Sequence, residues 1–211
     1  MKGNLIIISS PSGGGKGTLI SEVLKTVSDI GYSVSYTTRE RRHDEVDGRN
    51  YHFISINEFQ KKLDDGDFLE HAKVHGNFYG TSIAQIEEIT AEGKDVILEI
   101  DVQGAAEVRR KMPNAVAIFI LPPSFDVLKA RLTGRATEDL ADLELRLSNS
   151  FGEVMQYKNF DYVVINDLLQ VASRSLAAII ISERHRLDRQ DDAIRDILNS
   201  FEVSKKHGTG E

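Results

Sequence analysis

Apolar residues recur along the chain in two rhythms. Residues 4–9 (NLIIIS) form an unbroken apolar run that stops at Ser-Pro-Ser-Gly-Gly-Gly, and beyond Lys16 the positions Leu19, Ile20, Val23, Leu24 and Val27 follow helical spacing. That pattern predicts strand, glycine loop and helix. Further continuous runs at 95–101 (DVILEID), 115–121 (AVAIFIL) and 162–166 (YVVIN) predict strands. Because they do not alternate with polar residues, they belong to a sheet covered on both faces, as parallel sheets are. Helical spacing predicts helices over 104–112, stopping before Pro113, and over about 124–134, 138–158 and 168–187. Strands alternating with helices give an α/β layered core.

The rhythm breaks between 33 and 93. Short stretches rich in Tyr, Phe, Val and Thr at 34–38, 51–56, 68–74 and 77–81 read as strands separated by turn pairs such as Asp47-Gly48 and Gly76-Asn77. Asn57 with Gln60, and Ser82 with Gln85, have the spacing of helix capping boxes. An inserted β-rich lobe is expected here. The last eight residues, SKKHGTGE, read as a frayed tail.

Composition narrows the classes. At 211 residues with 40% hydrophobic and 28% charged positions, the chain can bury a sizeable core and is too apolar to be disordered. The absence of cysteine excludes disulfides, thiolate catalysis and Cys-based metal sites. No apolar run approaches the roughly 20 residues of a membrane span, and no secretory signal is recognisable, so a cytoplasmic protein is expected. With 33 acidic against 26 basic residues the net charge is −7, the wrong sign for a generic nucleic-acid binder. Basic residues nevertheless gather locally, at Arg39, Arg41, Arg42 and Arg49 and again at Lys129, Arg131, Arg135 and Arg146.

The glycine loop carries the first chemistry. In the pattern G-x-x-x-x-G-K-[ST], backbone N–H groups and a helix N-terminus cradle phosphates while the lysine reaches the terminal ones. Here Ser10-Pro-Ser12-Gly13-Gly14-Gly15-Lys16-Gly17-Thr18 keeps Gly15 and Lys16 but has Ser10 for the first glycine and Gly17 for the hydroxyl residue, which moves to Thr18. A buried strand before the loop and an amphipathic helix after it are the context that pattern requires.

At this point the stretches SPSGGGKGT, SVSYTTRERR, EVDGRNYHFIS, DFLEHAKVHGNFYGTS, ILEIDVQGA, RLTGRATED and VVIND together resemble the guanylate kinase family, in the family's order, from residue 4 to 187. The resemblance implies a P-loop kinase core with a parallel sheet flanked by helices (1–33, 94–124 and 158–203), an inserted β-rich GMP-binding lobe (34–93), a helical lid (125–157) and a flexible tail (204–211). It implies that ATP and GMP react to ADP and GDP in purine metabolism, with Mg²⁺. Ser12, Gly13, Gly14, Gly15, Lys16, Gly17 and Thr18 fall on the family's ATP loop, with Lys16, Arg131, Arg135 and Arg146 on its catalytic cations and Asn166 on its adenine side. A doubly charged monophosphate calls for guanidinium forks and phenol donors. Arg39, Arg42, Tyr51 and Tyr79 fall where the family holds that phosphate. Guanine presents N1–H and N2–H₂ donors, so its recognition calls for carboxylates beside hydroxyls; Glu70 and Asp101, with Ser35 and Thr81, match those positions.

Each of these has a plainer reading: an exposed strand carboxylate for Glu70, a strand-end cap for Asp101, a basic helix face for the lid arginines, a strand-ending turn for Asn166. No protein metal site is expected; Mg²⁺ is expected to be held mainly by nucleotide phosphates and water, with Thr18 the available hydroxyl. ATP and GMP, with dGMP as an admissible acceptor, are the expected partners, without nucleic acid or membrane; nothing in the sequence assigns an oligomeric state. A guanylate-kinase-like protein-binding module would have a degraded phosphate loop, and a sugar-phosphate kinase would lack the guanine set.

Overall fold

The computed structural model describes residues 3–74, 76–134 and 140–208, with side chains described outside 140–143, 192 and 203–208. In chain order the elements are β1 (Leu5–Ser9), α1 (Lys16–Thr26), β2 (Ile30–Tyr32), β3 (Tyr36–Thr37), β4 (His52–Phe53), α2 (Ile56–Asp64), β5 (Phe68–Val74), β6 (Asn77–Ser82) and α3 (Ile83–Ala91). They continue with β7 (Asp95–Glu99), α4 (Val102–Lys111), β8 (Val116–Leu121), α5 (Phe125–Thr133), α6 (Leu140–Met155), β9 (Tyr162–Ile165), α7 (Leu169–Arg184) and α8 (Asp191–Gly208).

The continuous apolar strands form one sheet in the order β2-β7-β1-β8-β9, and every pairing is parallel. Successive residues of a strand point to opposite faces, and here each face meets helices. Ile6, Ile8, Ile97, Ile118 and Ile120 pack with Leu19 and Val23 of α1 and with Leu176 and Ile180 of α7. Leu5, Ile7, Val96, Leu98 and Ala117 pack on the other side with Ile86 of α3 and with Ala105 and Val108 of α4. Burying both parities is why these runs show no alternation. The phosphate loop and the first turn of α4 both leave from the carboxyl ends of these strands, where open α/β sheets bind ligands.

The inserted segment builds a second sheet, β4-β3-β6-β5, in which β3 pairs parallel with β4 and antiparallel with β6, and β5 antiparallel with β6. Its strands at 34–38 and 51–56 are shorter than expected, two residues each. The second is cut short by a helix cap: Ser55, not Asn57, caps α2, and Glu58 closes the capping box in place of Gln60. Ser82 caps α3 as expected, but the Gln85 carbonyl turns away to accept the Val34 N–H at 3.0 Å. One core strand escaped the sequence pattern: β2 is three residues with a central glycine, paired with β7 at the edge of the sheet. α4 starts at Val102 rather than 104 because Asp101 caps it. α6 gives way to a 3-10 turn at Gln156–Asn159, and α8 continues through Gly208, so residues 204–208 are helical where a frayed tail was expected.

Candidate active site

β1 ends at Ser9 and the chain turns into α1 through two left-handed glycines, Gly13 (φ 81°) and Gly15 (φ 87°), conformations in which a Cβ is costly. Gly15 is the N-cap of α1 and carries no side-chain cap, so the helix presents its first N–H groups to an anion. The loop is braced from behind. Buried Asn166, just past β9, donates its side-chain N–H to the Gly14 carbonyl at 2.9 Å. Arg131 of α5 donates to the Asn166 carbonyl at 2.8 Å and to the Gly14 carbonyl at 3.5 Å. From α6, Arg146 Nε donates to Ser12 Oγ at 3.1 Å, and the Glu153 carboxylate accepts the Ser12 backbone N–H at 2.9 Å. Lys16 opens α1 half-buried, while Gly17 and Thr18 are exposed. A Cβ on Gly17 would stand 3.7 Å from both carboxylate oxygens of Glu99. Glu99 in turn accepts the Tyr32 hydroxyl at 3.2 Å, and burial together with that carboxylate holds the Tyr32 phenol above its ordinary range.

In the lobe, a bulge between Phe68 and Glu70 pairs Phe68 with Ser82 and Glu70 with Thr81. Glu70 is left 3% exposed, its Oε1 accepting the Thr81 hydroxyl at 2.5 Å. Asp101, beyond β7, accepts the Gly104 N–H through Oδ1 at 2.9 Å. Burial pushes the Glu70 carboxyl up to about 7; the Thr81 hydrogen bond opposes this, and the Asp101 and Glu107 charges add to it. A buried carboxylate with an acceptor oxygen left over, beside a second half-buried carboxylate, is matched by a ligand that brings donors. Ser35 is buried in the same lobe.

Arg39 pairs with Glu45 at 2.6 Å and lies over the rings of Tyr51 (5.5 Å) and Phe53 (5.7 Å). Burial works against its charge, but Glu45 and Tyr79 outweigh that and hold the guanidinium above its ordinary range. Tyr51 meets Tyr79 edge to face at 5.8 Å, and burial, with the nearby Glu99 charge, pushes its phenol up to about 12, so it remains a hydrogen-bond donor. Arg42 gives its backbone N–H to Glu45 at 2.8 Å and leaves its side chain exposed.

The chain thus carries a phosphate cradle at the start of α1, a carboxylate–hydroxyl pair at Glu70 and Thr81, and a guanidinium among phenols at Arg39, Tyr51 and Tyr79, and comparison with known proteins identifies its family. The guanylate kinase family model matches residues 2–183. The chain is 49% identical over 199 residues to guanylate kinase of Neisseria gonorrhoeae, covering 94% of this chain and 97% of that one. To guanylate kinase of Thermotoga maritima it is 46% identical over 194 residues, covering 92% and 94%. The crystal structure of guanylate kinase from Anaplasma phagocytophilum superposes with a TM-score of 0.79 at 31% identity, over 94% of this chain and 95% of that one. The chain belongs to the guanylate kinase family. It is an ATP:GMP phosphotransferase, a nucleoside monophosphate kinase that yields ADP and GDP.

Against that chemistry the expected residues fall into groups. The loop residues Ser12 to Thr18 stand together with Arg131 and Arg146, whereas Arg135 lies outside the described residues. Glu70, Thr81 and Asp101 converge, and so do Arg39, Tyr51 and Tyr79. Two of these residues also have partners within the protein. Asp101 is a helix cap as well as a candidate ligand: its Oδ1 accepts the Gly104 N–H, and its Oδ2 accepts the Gln103 side-chain N–H at 3.4 Å. Asn166 directs its amide onto the loop backbone, making it a brace of the phosphate site. Sequence reasoning missed Glu45, Glu99 and Glu153. Glu99 had a signal, an acid at the carboxyl end of a buried strand; Glu45 lies in a loop with no periodicity to mark its pairing with Arg39, and Glu153 meets Ser12 across 141 positions of sequence.

Proposed function

We propose a division of labour within the guanylate kinase reaction. The Glu70 carboxylate, paired with Thr81, accepts from the guanine N1–H and N2–H₂ donors, with Asp101 Oδ2, given up by its long contact with Gln103, beside it and Ser35 completing the polar wall. Arg39 exchanges Glu45 for the acceptor phosphate, joined by Tyr51, Tyr79 and the exposed Arg42. The phosphate loop and Lys16 hold the donor phosphates, and Arg131 and Arg146, with Arg135, neutralise charge on the transferring group. An ionised GMP oxygen attacks the γ-phosphorus and the bond to the β-γ bridging oxygen breaks, leaving ADP. The attacking oxygen is already ionised at neutral pH, so the residues orient and neutralise without a general base.

Mg²⁺ fits the oxygen chemistry around the loop: the Glu99 carboxylate stands 3.7 Å from the point where Gly17 omits a side chain, and the exposed Thr18 follows in the next position, so these two would be the residues to hold it. When bound with ATP it neutralises phosphate charge. Of the lobe (34–93), the second sheet and α2 close over the substrates together with the lid (125–157), while α3 stays packed on the core sheet, in a cytoplasmic enzyme of purine nucleotide metabolism.

The observation that carries this reading is the buried Glu70–Thr81 pair facing Asp101. Glu70→Gln places an amide donor against a guanine donor and is expected to lower kcat/KM for GMP by about 2 to 4 kcal/mol, roughly 30- to 1,000-fold. The KM for ATP should stay close to wild type. A coupled assay of ADP release with GMP, AMP, UMP and CMP measures it, and unchanged GMP kinetics would remove Glu70 from the site.

A further inference from the structure

We infer that Gly104 is a specificity-determining position: the missing side chain in the first turn of α4 is what seats the guanine-recognising carboxylate. This rests on the assignment of Glu70 to guanine. Gly104 is buried and is not among the left-handed glycines, so its backbone does not ask for glycine, and glycine is a poor helix residue. Space does ask for it. A Cβ at 104 would stand 2.6 Å from Glu70 Oε2, 3.1 Å from the carboxyl carbon of Glu70 and 3.3 Å from Asp101 Oδ1. The Glu70 carboxylate has little room to retreat, because Thr81 holds its other oxygen at 2.5 Å. Nor can α4 easily lift away. Lys111 Nζ donates to the Leu69 carbonyl at 2.5 Å and Glu107 accepts the His71 N–H at 3.4 Å, so the helix is fastened to β5 on both sides of Glu70. A methyl group at 104 therefore displaces the carboxylate from Thr81 and from the guanine edge, and leaves the phosphate loop untouched.

The test is a two-by-two set, wild type, Gly104→Ala, Glu70→Asp and the double variant, with Glu70→Gln alongside. Gly104→Ala is expected to raise the KM for GMP at least tenfold and leave that for ATP within twofold. It should also narrow the preference for GMP over inosine monophosphate, which lacks the N2 amino group; a merely structural defect would weaken both acceptors alike. Glu70→Asp shortens the side chain and should weaken GMP on its own account. Adding Gly104→Ala to it should cost less than threefold further, because the methyl then occupies vacated space. If Gly104→Ala does not fold, calorimetric GMP affinity of the double variant against Glu70→Asp decides: less than threefold apart supports the inference, tenfold or more overturns it. Unchanged GMP kinetics in Gly104→Ala, with Glu70→Gln impaired, overturns the inference and leaves the guanine assignment standing. Unchanged kinetics in both overturns the assignment as well.

Discussion

At the scale of single residues, the site is dominated by a conflict that Glu70 carries. Burial raises its carboxyl to about 7, yet the contact with guanine's donors that we propose for it requires it ionised. Below that value the unliganded enzyme holds the proton, which GMP must displace, so the KM for GMP is expected to climb by up to about tenfold per pH unit below 7 and to level off above it. In Glu70→Gln this break should vanish, leaving the acceptor phosphate's own titration near 6; a break at 7 that persists in the variant assigns it to another group. The sign for folding is opposite. A carboxyl whose folded value is raised from an ordinary 4.5 to about 7 keeps its proton on folding, so its contribution to stability is greatest below 4.5 and is lost as pH rises to 7. Gly17 has a gentler setting. The 3.7 Å clearance to Glu99 leaves room for a serine in the unliganded loop, so glycine there is not dictated by crowding from the protein.

At the scale of elements, the phosphate loop depends on parts far away in sequence. Its conformation comes from Gly13 and Gly15, but its position comes from the ends of β9 and α5: Asn166 holds the Gly14 carbonyl and Arg131 holds both. Asn166→Ala removes the shorter of the two side-chain hydrogen bonds to the Gly14 carbonyl and leaves the 3.5 Å one from Arg131, a loss of about 1 kcal/mol. The KM for ATP should rise several-fold, with that for GMP within twofold. Calorimetry with a non-hydrolysable ATP analogue is the direct measurement; equal affinity in both proteins would show that β9 does not brace the loop. The same dependence explains why a helix can take part in the chemistry from a distance. α6 reaches Ser12 twice, through Arg146 and Glu153, so its placement and that of the loop are coupled.

At the scale of the whole molecule, the parallel sheet with helices on both faces holds the two buried clusters, and the half-buried pair Asp95–Arg184, at 2.7 Å, ties α7 to the strand β7. α8 is the opposite case. Its Ile197, Leu198 and Phe201 are 55%, 58% and 70% exposed, so these described apolar side chains add little to the core. Removal of residues 191–211 is expected to shift the melting temperature by less than about 3 °C, equivalent to under 1 kcal/mol for a chain of this size, and to leave phosphoryl transfer intact. A drop of 10 °C or more in a thermal melt would mean that the helix contributes to folding after all. No helix of the described residues is long and apolar enough to cross a membrane.

Features governed by short-range chemistry were legible in the linear chain. Continuous apolar runs implied a sheet buried on both faces, the glycine loop between strand and helix implied a phosphate cradle, and the ordered stretches from 4 to 187 implied the family. Local competition blurred the boundaries: Ser55 outcompeted Asn57 as a cap because Glu58 could return the hydrogen bond, and β2, three residues around a glycine, carries too little pattern to announce itself. Which candidate residues lie against one another was decided only in three dimensions. A bulge aims Glu70 inward against Thr81, Asn166 turns to the loop across 152 positions of sequence, and Gly104 leaves the space in which two carboxylates meet. These depend on register, on a helix end and on the atoms that are missing from a glycine, and each takes its meaning from a neighbour that the linear chain does not place beside it.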